Sequence, residues 1–116
     1  MTADVEQLVE SFREEATAHS RATLDGDYRA ANRAATKAHK LFLRLTSFDI
    51  EGRLALLTLA ETAADEVAVL AATYSLKFNP DRSLRVLTRL MSNRGVIGFQ
   101  AEQAMRRWKS GEWHLE

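Results

Sequence analysis

The chain contains a short internal repeat: Leu54-Ala55-Leu56-Leu57-Thr58 and Leu84-Arg85-Val86-Leu87-Thr88 share two leucines and a threonine at a spacing of thirty residues. A second apolar stretch with helical spacing follows each copy. Self-similarity over a few tens of residues is typical of arrays in which each helix pair buries its apolar face on its neighbours. The repeat therefore predicts stacked helical hairpins, and it predicts no activity.

Composition favours a helical fold over a turn-rich β fold. The 116 residues contain one proline and five glycines, fewer than the turns of a β protein of this length would use. A chain of this length has room for one domain, spanning residues 1–116, with a real hydrophobic core. The spacing of apolar residues predicts an all-α fold with about six helices in three antiparallel hairpins.

Charge and cysteine content argue against several classes of function. Sixteen basic residues balance sixteen acidic ones, so no net field attracts nucleic acid or an anionic membrane. Cysteine is absent, which removes disulfides, thiol catalysis and thiolate metal sites. The first residues are acidic rather than basic, and no apolar run reaches the roughly eighteen residues of a membrane span. We therefore expect a soluble, cytoplasmic protein that has no cofactor and does not bind a membrane.

Apolar residues at three- and four-residue steps place the helices of the first half. The first helix is predicted over about 3–24, and Asp27 is the predicted N-cap of a second helix that reaches about Leu45. A connection over 47–52 is predicted to precede a short third helix that contains 54–60. The predicted apolar stripe of the second helix consists of Tyr28, Ala31, Ala35, Ala38, Phe42 and Leu45.

Capping signals place the helices of the second half. Thr62 or Asp65 is predicted to cap the fourth helix, whose apolar residues extend to Phe78. Asn79 suits the N-cap and Pro80 the first position of the fifth helix, and Gly111 is the predicted end of the sixth. The predicted buried residues of the last two helices are Leu84, Leu87, Leu90, Met91, Phe99, Ala101, Ala104, Met105 and Trp108.

The second half of the chain resembles a small bacterial family of single-domain HEAT-like proteins. The resemblance rests on Leu54-Ala55-Leu56-Leu57, on the segment Val67-Ala68-Val69-Leu70-Ala71-Ala72-Thr73-Tyr74-Ser75-Leu76, and on the ending from Gly98-Phe99-Gln100-Ala101 to Trp108-Lys109-Ser110-Gly111, with Asn32 also matching. It implies a HEAT-like right-handed α-α superhelix. Proteins of this kind are often encoded beside polymorphic toxins, which implies a role as a toxin-neutralising immunity protein. The chain departs from the HEAT-like pattern at Ala68, where a basic residue often follows the valine.

The histidines do not form a metal-binding pattern. His19, His39 and His114 lie far apart, and none belongs to the Glu-x-x-His arrangement of helical di-metal sites. We expect no metal. His39 lies at the edge of the apolar stripe of the second helix, which predicts a hydrogen-bonded packing histidine, and Glu15 could pair with His19 one turn away.

Two acidic pairs, Glu14-Glu15 and Asp65-Glu66, are the predicted contact residues for a protein partner. Acid-base catalysis needs carboxylates that converge on a pocket, whereas these pairs fall on solvated helix faces or helix starts. Residues 54–76 contain three acids and no base, and such banded charge favours oriented capture of a charged partner. The leading hypothesis is a non-enzymatic domain, a monomer or weak homodimer, that occludes a cognate toxin.

A basic stripe on the second helix supports an alternative function. Its members follow each other at steps of three and four residues with no acid among them, and they are Arg29, Arg33, Lys37, Lys40 and Arg44. Such a stripe could bind a phosphate backbone, which makes a nucleic-acid-binding helical module the alternative hypothesis. Two other interpretations stay open: a solvated face, or packing against the acidic first helix. A second basic cluster on the last hairpin comprises Arg82, Arg85, Arg89, Arg94, Arg106, Arg107 and Lys109.

Three further features have structural as well as functional interpretations. Asn32, in the middle of a predicted helix, is expected to hydrogen-bond a buried backbone group. A small-ligand pocket between hairpins would be lined by Tyr28, Phe42, Tyr74 and Phe99, although aromatic residues at helical spacing are usually core. Trp113 could anchor a partner or fold back on the last hairpin.

Overall fold

The computed structural model describes residues 3–111, which form six α-helices joined by short connections. The helices are α1 (Ala3–Leu24), α2 (Tyr28–Thr46), α3 (Asp49–Thr62), α4 (Asp65–Ser75), α5 (Pro80–Leu90) and α6 (Val96–Ser110). No strand occurs within these residues. The predicted all-α fold with six helices is confirmed.

Consecutive helices pack against each other as hairpins. The largest interhelical contact joins α1 to α2, followed by the contact of α3 with α4, and α5 also packs on α6. The hairpins touch through α1 with α3 and α4, and through α4 with α5 and α6. Helix α4 therefore lies at the centre of the molecule, which matches its nearly continuous burial from Val67 to Leu76.

One hydrophobic core draws residues from all six helices. Its members include Val5, Phe42, Leu59, Val69, Leu87 and Ala101, one from each helix in chain order. Many core positions are alanine, and Ala60, Ala68, Ala71, Ala72 and Ala101 are completely buried. Small side chains let helix backbones approach closely, so the alanine-rich centre of the sequence becomes the closely packed centre of the fold.

The internal repeat occupies equivalent places on α3 and α5. Leu57 and Leu87 are both completely buried, and the threonines that follow them are both exposed. The leucines that begin the two copies differ, because Leu54 is exposed and Leu84 is half-buried. The two copies therefore agree in burial at their final leucine and threonine, and differ at their first leucine.

The corner between α2 and α3 is much tighter than predicted. The expected connection over 47–52 consists of two residues, since α3 already begins at Asp49. Asp49 has φ +55°, a left-handed backbone conformation at the point where the chain turns from α2 into α3. Gly52 lies so close to α2 that a Cβ atom there would be 1.7 Å from the carbonyl oxygen of Leu45. The predicted start of the third helix, after residue 52, is therefore wrong. The glycine that suggested a loop is instead required by the close packing of α3 on α2, which the local sequence does not show.

The capping predictions have mixed outcomes. The side chain of Asp27 accepts a hydrogen bond from the backbone N–H of Ala30 at 3.1 Å, as an N-cap should. Pro80 opens α5, and Gly111 ends α6 with φ +76°. Asn79 holds the N-cap position of α5, but its side chain makes no capping bond. The prediction for α4 is wrong, because its N-cap is Ala64.

Candidate interaction surface

The basic stripe of α2 lies on the side of the helix that faces away from the core. Its five members, Arg29, Arg33, Lys37, Lys40 and Arg44, are all exposed. The buried residues of the same helix occupy the opposite face and comprise Ala31, Ala34, Ala38, Phe42 and Leu45. Because α2 contains no acidic residue, the stripe extends over most of the helix without interruption.

The basic stripe has no charged partner within residues 3–111. None of its side chains makes an ion pair or hydrogen bond there, although α1 is acidic and packs closely on α2. The interpretation that the two helices are joined by ion pairs is therefore wrong. The helices pack through their apolar faces, which leaves both charged faces turned to solvent.

The second basic cluster, in contrast, is partly neutralised, since three of its seven residues, Arg82, Arg89 and Arg106, contact carboxylates within residues 3–111. Arg82 donates two hydrogen bonds to the Glu61 carboxylate, at 2.9 and 2.5 Å, and so bridges α5 to α3. The hydrogen bond from Arg82 lowers the pKa of Glu61, and the charges of Arg82 and Arg85 act in the same direction. Arg106 pairs with Glu102 at 2.6 Å. Within the described part of the chain, the five unpaired cations of the basic stripe therefore lie on one helix, whereas the four unpaired cations of the second cluster are spread over α5, α6 and the connection between them.

The acidic residues predicted to contact a partner differ in their exposure and in whether they contact other side chains of the chain. Glu14 is exposed and Glu15 is half-buried on α1, while Asp65 and Glu66 are half-buried in the first turn of α4. The carboxylate of Asp65 accepts a hydrogen bond from Asn93 Nδ2 at 2.8 Å and lies 3.4 Å from Arg89 Nη1. Asp65 thus ties α4 to the last hairpin, which is a structural role that the sequence did not reveal.

Exposed apolar side chains cluster along the chain at the corner between α2 and α3. Large side chains that remain accessible there are Leu43 (47% exposed), Phe48 (36%), Ile50 (69%) and Leu54 (45%), hereafter the corner patch. Ile50 and Leu54 are one helical turn apart and so are neighbours on the surface of α3. The sequence did not predict these exposed apolar side chains as a surface feature, because Phe48 and Ile50 were expected in a connection. Their apolar character within a predicted loop was the available signal.

The aromatic residues considered for a ligand pocket do not form one. Tyr28 and Phe99 are exposed, at 72% and 61%. Phe42 and Tyr74 are buried and stack with their ring centroids 4.5 Å apart. The pocket hypothesis is therefore wrong, and the two buried rings belong to the core, as aromatic residues at helical spacing usually do.

His39 completes the aromatic cluster around Tyr74. Its Nδ1 atom lies 3.2 Å from the Tyr74 hydroxyl, so the predicted packing histidine is confirmed. Burial raises the pKa of Tyr74, which keeps the phenol neutral. The guanidinium of Arg53 stacks over the Phe78 ring at 4.2 Å from its centroid, a cation–π contact that sequence reasoning did not identify. This cluster is a packing unit between α2, α3 and α4.

The remaining predicted polar contacts are not present. Asn32 is exposed, so its side chain does not reach a buried backbone group, and beyond the helix backbone its carbonyl accepts a hydrogen bond from the hydroxyl of Thr36. Glu15 makes no ion pair with His19. Met91, predicted to be buried, is exposed. Trp113 and His114 lie outside the described residues.

Metal binding and membrane spanning each require a particular arrangement of residues. Within residues 3–111, no group of three or more histidine, aspartate or glutamate side chains is arranged to hold a metal ion. None of the helices formed by these residues combines the length and apolar character needed to cross a membrane.

The fold and surface define a class of protein: a six-helix all-α domain that presents an open charged face and an apolar corner. No protein-family model matches the chain, and no curated protein matches it. The structure is similar to the crystal structure of the protein RPA1889 from Rhodopseudomonas palustris CGA009, with a TM-score of 0.84 and 23% sequence identity. The match covers 98% of this chain and 93% of RPA1889. At this identity the likeness establishes a shared fold alone.

Proposed function

We propose that this protein is a non-enzymatic protein-binding domain of the immunity type, which neutralises a bacterial toxin by covering part of its surface. The observation that carries protein binding is the corner patch, where four large apolar side chains are accessible within twelve residues of sequence. Protein–protein interfaces bury exposed apolar side chains, whereas interfaces with nucleic acid are more polar and more positively charged. The toxin as partner is supported by the resemblance to the HEAT-like family.

The alternative function, nucleic-acid binding, is supported by the uncompensated basic stripe of α2. Five free cations along one helix can contact a phosphate backbone, and such binding weakens steeply as salt rises. A packed protein interface with an apolar centre loses much less affinity over the same range. Salt dependence therefore separates the two functions.

The test is a pull-down of the tagged protein from its native lysate at about 150 mM salt, with mass spectrometry of the retained material. We expect one protein in stoichiometric amount, and we expect co-expression of this domain to restore growth of cells that produce that protein. Retention of nucleic acid alone, lost as salt increases, would contradict the proposal and favour the alternative.

The acidic contact residues are tested separately from the function. A variant with Glu14→Lys, Glu15→Lys and Glu66→Lys leaves the internal bonds of Asp65 in place. If these acids contact the partner, capture and growth rescue are lost. If both persist, the partner binds elsewhere on the domain. Asp65→Asn alone should reveal how much of any effect comes from the link between α4 and the last hairpin.

A further inference from the structure

We draw no further inference here: the strongest candidate, the open groove on one flank of α5 lined by Asp81, Leu84, Arg85 and Thr88, carries none, because nothing within residues 3–111 shows what covers it.

Discussion

Burial sets the pKa of two titratable side chains, His19 and Tyr74. Desolvation lowers the pKa of His19 below its ordinary value of 6.5 and raises that of Tyr74, so in each case the neutral form is favoured. For Tyr74 the neutral phenol suits the contact with His39 Nδ1 and the stacking against Phe42. For His19 the consequence is a dependence of stability on pH.

We predict that His19 makes the fold less stable as pH falls. Its pKa is lower in the folded chain than in the unfolded chain, so the unfolded state binds the proton first. The contribution is fully present above pH 6.5 and is lost as pH decreases through the lowered folded pKa. The free energy of unfolding, measured by urea titration between about pH 7 and pH 5, should fall more in the wild type than in His19→Gln. Parallel pH profiles for the two proteins would contradict this assignment.

Glycine at position 52 shows how one residue decides the geometry of an element. Gly52 permits α3 to start two residues after α2 ends and to pass against the Leu45 carbonyl. Asp49 adopts a left-handed backbone conformation at the first residue of α3. The position of the corner patch depends on this geometry, because Phe48, Ile50 and Leu54 lie on the turn and on the first part of α3.

We predict that Gly52→Ala destabilises the protein by about 2 kcal/mol or more. The added methyl group meets backbone rather than a movable side chain, so α2 and α3 must separate. Thr58→Ala, at an exposed position of the same helix, is the control and should change the free energy of unfolding by less than about 0.5 kcal/mol. Chemical denaturation of both variants provides the measurement. Equal stabilities would show that the corner is looser than described.

At the scale of the whole molecule, a single core determines how the protein unfolds. The core cluster contains residues of all six helices. Helix α4 contacts its own hairpin partner α3 and also helices of the other two hairpins, namely α1, α5 and α6. A linear array of repeats contacts only nearest neighbours and can lose its ends first. In this protein the main contacts within residues 3–111 also join neighbouring hairpins, but the second hairpin is packed on both sides and all three hairpins contribute to one core.

We predict that thermal unfolding is a single cooperative transition. The calorimetric and van't Hoff enthalpies should agree, at roughly 80 kcal/mol near 60 °C for a chain of this length. Because the last hairpin joins the same core, its amides should exchange with solvent in the same global event as those of α4. Earlier exchange throughout α5 and α6, or a calorimetric enthalpy well above the van't Hoff value, would indicate separate units.

The charge distribution is also a property of the whole molecule. The net charge is zero, yet the outer face of α2 is basic and unpaired within residues 3–111, while three arginines of α5 and α6 are paired with Glu61, Asp65 and Glu102. The sequence showed two basic clusters of similar composition. Only the packing of α3 and α4 against α5 showed that Arg82 and Arg89 are paired, because their acidic partners Glu61 and Asp65 lie more than twenty residues earlier in the chain.

The sequence by itself determined the helical content, most helix boundaries, the Asp27 cap, the Pro80 start and the Gly111 end. These features depend on interactions within a few residues, so periodicity and capping residues report them directly. It also identified the basic stripe, since spacing of three and four residues fixes a common helix face. Only the tertiary structure decided that Tyr28, Leu54 and Phe99 are exposed, that Asp65 holds Asn93, and that the chain turns from α2 into α3 within two residues. These outcomes depend on which helices become neighbours and how closely their backbones approach, and no local pattern contains that information.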